Sequence, residues 1–335
     1  MRSIKLLSFD EYSNRYGSAR MTRERGILEV TFHTDGDSLR WTERSHHELG
    51  MIFKCIAADR DNRIVIMTGV GDEWSGPPAQ WDARVHRSRP TPEDWDDIIF
   101  FGRQLSMSML EIEAPIIFAL NGPPYHHVEL PLLADIVIAS DDAVFGDVGH
   151  FHGGGLVPGD GISIVLSALL GPNRARYLQL MGREVDAKTA LEWGLVGEVL
   201  PKARVLVRAR EIAAQLSVNS DLVLRYTRLV FTQPMKERLL RHQGLGLALE
   251  GLAATAETGR YRDSNAEAHL NNGAAAYARQ DFAEALKCFK KASYLGSPQA
   301  MRRLSDLFAE GLGASQDAAE ATYWARKADE LYQVP

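Results

Sequence analysis

The chain is poor in cysteine, in net positive charge and in long apolar runs. Its two cysteines among 335 residues are Cys55 and Cys288. They are too few and too far apart for a disulfide framework or a zinc site, and they fit a reducing cytoplasm. A formal net charge of −6 argues against nucleic acid as the main partner. No apolar run reaches the length of a membrane span, so no membrane role is expected. The opening "MRSIKLLSFDEYSNRYG" has an apolar stretch too short for a signal h-region, with acids close behind. That predicts no targeting peptide and a cytoplasmic protein. What is present is a 45% hydrophobic composition, enough for one large core or two domains.

The first two thirds alternate in period. "ILEVTFHT" (27–34) reads as a strand, and "RIVIMTGV" (63–70) as a buried strand ending in glycine. Residues 43–59 between them carry Leu49, Ile52, Phe53 and Ile56 at helical spacing. Further strands are expected at 115–120 and 135–139, with a helix at 95–110 before the first. Alternating β and α segments predict an α/β core. From Pro172 onward the pattern is helical. "PNRARYLQLMG" opens on proline and stops on glycine, and helices follow near 187–193, 203–216, 221–231 and 235–255. The polar stretch 257–269 reads as a linker.

Beyond it lies an internal repeat. "QDFAEALKCFKKA" begins at Gln280 and "QDAAEATYWARKA" at Gln316, a period of 36 residues. Such a period marks stacked helical hairpins. Alanines 285, 292, 321 and 328 let neighbouring helices approach closely. This tail, residues 265–331, resembles the Sel1-like branch of tetratricopeptide-type repeats. Two units rarely stand alone, so the tail is expected to dock on the main domain, another subunit or a protein partner. The expected division is a catalytic domain over 1–258 and linker plus repeats over 259–335.

The order "RIVIMTGVGDEWSG", "APIIFALNG", "ADIVIAS", "AVFGD", "GLVPGDG" and "ALLGPNRARYLQLMGREVDAKTALEWGLVGEVL" resembles the crotonase (enoyl-CoA hydratase/isomerase) superfamily. The resemblance implies a spiral of ββα units and a homotrimer or hexamer. "SLRWTERSHHEL", "DWDDIIFFGRQL", "NGPPYHHVELP", "FGDVGHFHGGGLVPGDG" and "GLGLALEGLAA" are similar to the 6-oxocamphor hydrolase family of β-diketone hydrolases. Crotonases acting on CoA thioesters hold the thioester oxygen with two backbone N–H groups. The first donor position falls on Pro78 in "WSGPPAQW", and proline has no N–H. A slip back to Pro77 has the same defect; only a slip forward to Ala79 restores a donor. The second position falls among His126, His127 and Val128. A lost oxyanion donor typically costs about 3 kcal/mol in the transition state.

An imidazole at His127 can donate to a ketone oxygen and later return a proton to carbon. By itself it also reads as a helix cap; the resemblance implies an active-site histidine. His126 has no such match and reads as structural or solvent-facing. His150 and Asp160 flank a glycine-rich turn that can fold them together, and the resemblance implies a His–Asp dyad. His152 competes for that role. Glu250 lies in an apolar helical run, either outward-facing or, as the resemblance implies, in the site. The Trp41 indole can donate to a carbonyl, and its alternative is core packing. His46 matches a pocket histidine or faces solvent. Pro78 and Trp81 complete the substrate-binding candidates; Trp95 has no fixed role, and Asp135 reads as structural.

The expected reaction is retro-Claisen hydrolysis of a cyclic 1,3-diketone, with no cofactor and no metal. A CoA-dependent hydratase, isomerase, lyase or cyclase, and a non-catalytic assembly protein built on the repeats, are the alternatives.

Overall fold

The computed structural model describes residues 8–76, 91–147, 149–151, 155–254 and 259–332. Pro77, Pro78, Ala79, Trp81 and His152 lie outside them. The strands are β1 (Ala19–Glu24), β2 (Ile27–Phe32), β3 (Leu39–Arg40), β4 (Ile64–Gly69), β5 (Ser75–Gly76), β6 (Ile116–Leu120), β7 (Ile136–Ser140), β8 (Val144–Phe145), β9 (Val185–Asp186) and β10 (Glu198–Leu200). A six-stranded sheet runs in the order β1-β2-β4-β6-β7-β10. Its β1–β2 pair is antiparallel and the remaining neighbours are parallel. Helical crossovers between parallel strands cover both faces, so the α/β expectation holds.

Period-two burial decides which face each residue meets. In β4, Val65 and Met67 join the large core, while Ile64 and Ile66 face the other way. In β6, Ile116, Phe118 and Leu120 join the first, and Ile117 and Ala119 the second. The helices in chain order are α1 (Phe9–Ser13), α2 (Glu43–Ala58), α3 (Pro92–Glu111), α4 (Glu129–Leu132), α5 (Ile162–Leu170), α6 (Pro172–Met181), α7 (Ala187–Glu192), α8 (Lys202–Leu216) and α9 (Asp221–Ala254). The large core packs under α2, α3 and α5, and the smaller one under α8 through Val205, Ala209, Ile212 and Ala213. Caps set the ends. Thr42 Oγ1 accepts from Ser45 N at 3.0 Å and Thr42 N donates back to Ser45 Oγ at 2.8 Å, which starts α2. Pro172 opens α6, and Gly182 at φ 56° closes it.

Two expectations need correction. Residues 221–231 and 235–255 are one helix, α9, which passes through Pro234. Proline forfeits one helical hydrogen bond there, but tertiary packing on both sides of it holds the rod together. The segment read as a linker is helical from Gly259, as α10 (Gly259–Ala278). The tail continues as α11 (Phe282–Tyr294), α12 (Pro298–Glu310) and α13 (Ala318–Tyr332) around its own core of Phe289, Leu304, Leu307, Trp324 and the expected alanines. No helix of the described residues is long and apolar enough to cross a membrane.

Candidate active site

The site forms where the loop after β6, the loop after β8 and the C-terminal half of α9 meet. Asn121–Tyr125 leaves β6 and runs beside β5, where Ser75 bridges Pro124 and Tyr125 N donates to Ser75 O at 3.0 Å. The chain then turns at His127, whose φ of 50° is left-handed. A non-glycine residue there holds strain of about 1–2 kcal/mol, of the kind that collects at functional turns. The turn aims the imidazole inward. Its Nδ1 lies 2.5 Å from Glu129 Oε1 and 3.6 Å from Asp160 Oδ2. Trp41 lies across the ring, with centroids 4.2 Å apart, and His46 of α2 stacks at 5.3 Å.

His150 sits in the next loop. Its Nδ1 is 2.7 Å from Asp147 Oδ1, which also accepts the His150 backbone N–H at 3.1 Å. Its Nε2 is 3.6 Å from both Asp160 Oδ2 and Glu250 Oε1. The expected dyad therefore needs correction in its geometry: Asp147, and not Asp160, is the hydrogen-bonded carboxylate of His150. Asp160 is tied by its other oxygen, which accepts from Ile162 N at 3.1 Å at the start of α5. Its Oδ2 is thereby left between the two histidines. Asp147 was missed because an acid three residues before a histidine in a glycine-bearing loop looks like solvated turn chemistry. Glu129, only 1% exposed, was missed because it reads as an ordinary first-turn acid of α4.

Two glycines bring α9 close enough for Glu250 to reach this cluster. A Cβ on Gly246 would lie 2.5 Å from Gly159 O and 3.0 Å from Gly159 Cα. The loop that carries Asp160 and the helix that carries Glu250 therefore cross backbone to backbone. Glu250 is buried, against the outward-facing alternative. Trp95 anchors the same helix through its indole N–H to Leu247 O at 2.9 Å. His46 does not face solvent: its Nε2 is buried without a hydrogen-bond partner. His126 is half-buried beside Gly149.

Protonation follows from burial set against neighbouring charge. Burial, aided by His127, pushes His46 down to about 3, and burial with His127 and His150 does the same to His126. Both are neutral. Burial also depresses His127 and His150, but carboxylates outweigh it. Glu129 with Asp160 raises His127, and Asp147 with Asp160 holds His150 well above the ordinary imidazole range. Burial raises Glu250 to about 8, so it keeps its proton at neutral pH. The carboxylates thus favour the protonated forms of His127 and His150, while burial keeps His46 and His126 neutral and the Glu250 carboxyl protonated. Among the described residues, His127, Glu129 and Asp160 are the trio whose ligand atoms lie within 4.8 Å of one another, close enough for a metal ion. The His127–Glu129 hydrogen bond already ties two of its members together.

Residues 22–264 match the model of the enoyl-CoA hydratase/isomerase family. Carnitinyl-CoA dehydratase of Shigella flexneri is 29% identical over 209 residues, 62% of this chain and 77% of that protein. A β-diketone hydrolase from the cyanobacterium Anabaena sp. PCC 7120, solved with (S)-3-oxocyclohexyl acetic acid, is 40% identical. It covers 74% of this chain and 98% of its own, with a TM-score of 0.69. An enoyl-CoA hydratase/isomerase from Mycobacterium paratuberculosis, 20% identical over 73% of this chain and 96% of its own, shares the fold at a TM-score of 0.66. By its matched family model, its fold and its 40% identity to one solved member, the chain belongs to the crotonase (enoyl-CoA hydratase/isomerase) superfamily.

Proposed function

We propose that the chain is a hydrolase that cleaves a carbon–carbon bond of a cyclic 1,3-diketone by retro-Claisen reaction. The observation that carries this reading is the meeting of His127, His150, Asp160, Glu250 and Trp41 in one place. The 40% identity to a β-diketone hydrolase supports it. That protein's ligand joins a ketone to a carboxylic acid, the pair of groups such a cleavage leaves.

Asp147 accepts the Nδ1 proton of His150, so neutral His150 offers Nε2 as base. A water proton passes to Nε2, and hydroxide adds to one carbonyl carbon. The oxyanion is held by the cationic His127 ring and the Trp41 indole N–H, in place of backbone amides. Collapse restores the C=O and breaks the bond to the central carbon. The electron pair leaves as an enolate delocalised onto the second carbonyl. His127 gives a proton to that carbon. The water proton held on His150 passes back to His127 past Asp160, which lies 3.6 Å from both rings, and diketone plus water gives a keto acid. Glu250, protonated and 3.6 Å from Nε2, orients His150 and the water. No step needs a cofactor.

Product analysis in ¹⁸O-water with a panel of cyclic 1,3-diketones tests the reaction. One label enters the new carboxylate, and His150→Ala lowers the rate by about 10²–10⁴-fold. Full activity in that variant rejects the assignment. The similarity to carnitinyl-CoA dehydratase favours a second reading, a hydratase or lyase acting on CoA thioesters. Turnover of acyl-CoA substrates, with no diketone cleavage, establishes that reading instead. We infer a homo-oligomer, for which the exposed apolar side chains of α9 and α6, among them Val230, Phe231, Leu240, Tyr177 and Leu180, offer a surface; the family resemblance implies a trimer or hexamer. Light scattering on the purified chain tests it.

A further inference from the structure

Arg40 and Glu73 are buried charges that the mechanism does not use. Arg40 Nη1 donates to Glu73 Oε2 at 3.0 Å. The repeat tail completes the cluster. Lys290 of α11 donates to Glu73 Oε1 at 2.8 Å, and Arg40 Nη2 donates to Glu320 Oε1 of α13 at 3.3 Å. The other Glu320 oxygen accepts the Trp324 indole N–H at 2.8 Å. Burial alone would raise the Glu73 carboxyl, but Lys290 and Arg40 hold it below its usual range. Two cations and two carboxylates therefore interlock the main domain and the tail. A second tie joins Lys291 to Glu184 at 2.9 Å.

The ground under this cluster is part of the site. Arg40 lies on β3, which pairs with β5, and Trp41 is the next residue. On its other edge β5 bridges Pro124, and Trp74 N donates to Pro123 O at 3.2 Å, four residues before His127. Gly76 at the end of β5 lies hard against Arg40 Nη1 and Glu73 Oε2, with no space for a side chain. Trp41 and His127 thus hang from opposite edges of one small patch. Their rings meet at 4.2 Å. Ladders of two residues have little stability of their own.

We propose that the C-terminal tail is a clamp acting in cis, in which Lys290 and Glu320 are positioning residues that fix the β3–β5 patch and so set Trp41 against His127. The clamp is independent of which reaction the site performs. It goes beyond the catalytic cluster, because none of its four charged groups belongs to that cluster.

Hydrogen–deuterium exchange with mass spectrometry on the full chain tests the clamp without any substrate. In Lys290→Met and Glu320→Ala, amides of residues 38–42 and 73–76 exchange about tenfold faster or more, while β4 keeps its protection. Lys290→Arg restores slow exchange. Arg302→Ala breaks an ion pair to Asp329 inside the tail and leaves the patch at the wild-type rate. Wild-type exchange of the patch in both Lys290→Met and Glu320→Ala overturns the proposal. An equal rise across β4, or the same rise in Arg302→Ala, overturns it as well. Should Lys290→Met fail to fold, Glu320→Ala decides alone, because Glu73 keeps both cations there.

Discussion

Asp147 holds one nitrogen of His150 at 2.7 Å, while the opposite nitrogen stands 3.6 Å from Glu250. The ring is fixed from one side and uncommitted on the other. Asp147 is also the largest of the charges that raise His150. The base form therefore emerges at a higher pH than for an ordinary imidazole, and kcat/KM rises with pH as it does. Asp147→Asn removes the charge and the tautomer control together. Its kcat falls by about 10²–10⁴-fold and its ascending limb moves to lower pH. A pH–rate profile of both proteins checks this; an unmoved limb contradicts the role given to Asp147.

Glu250 makes a stability prediction. Its carboxyl is raised from 4.5 to about 8, with burial the largest cause. Between those values the unfolded chain has released the proton and the folded chain has kept it. Stability therefore falls as pH rises across that window. Glu250→Gln has no proton to lose. Its melting temperature gains on wild type between pH 5 and pH 8, by an equivalent of about 1–3 kcal/mol. Calorimetry at the two pH values measures the gain; a constant difference refutes it.

The glycines of α9 predict a contrast. Gly246→Ala must push α9 and the Asp160 loop apart, since its Cβ would stand 2.5 Å from Gly159 O. Displacement on the order of 1 Å lowers kcat by about 10²-fold. Gly244, two residues earlier in the same helix, has nothing within 4 Å of its Cβ position. Gly244→Ala keeps activity and stabilises by about 0.5–1 kcal/mol. Kinetics and denaturant melts of the two variants check both halves.

Asp135 and Arg228 pair beside the start of β6 and β7, with the guanidinium buried and the carboxylate partly exposed. Arg228, 1% exposed, donates to Asp135, to Ile112 O at 2.6 Å and to Met109 O at 3.2 Å. Asp135 also accepts from Ile116 N at 2.7 Å. Asp135→Ala leaves a buried guanidinium without its carboxylate. It destabilises by about 3–5 kcal/mol in urea denaturation. A loss below 1 kcal/mol shows the pair to be dispensable.

Much of the sheet was legible because its strands follow a two-residue period with a buried face. β1 and β10 at the ends of the sheet were not read as strands, and neither were β3, β5, β8 and β9, whose two residues carry no period. Pro234 misled for a related reason: a local rule yields where both flanking segments are packed. In the site, His127, His150, Asp160 and Glu250 were named and do meet. Asp147 and Glu129 were not, because a short-range acid looks the same whether water or a ring accepts its company. The Arg40–Glu320 contact joins positions 280 residues apart, and no local pattern encodes it.

The unbroken course of α9 has one more consequence. Arg228, which seats the helix on the sheet, and Glu250, which touches His150, are 22 residues apart on one rod, roughly 33 Å at the rise of an α-helix. One rod therefore ties the Arg228 seat to the catalytic cluster, and Trp95 and the Gly159–Gly246 crossing hold its far end, so a substitution at the seat acts on the same helix as the chemistry without ever approaching a substrate.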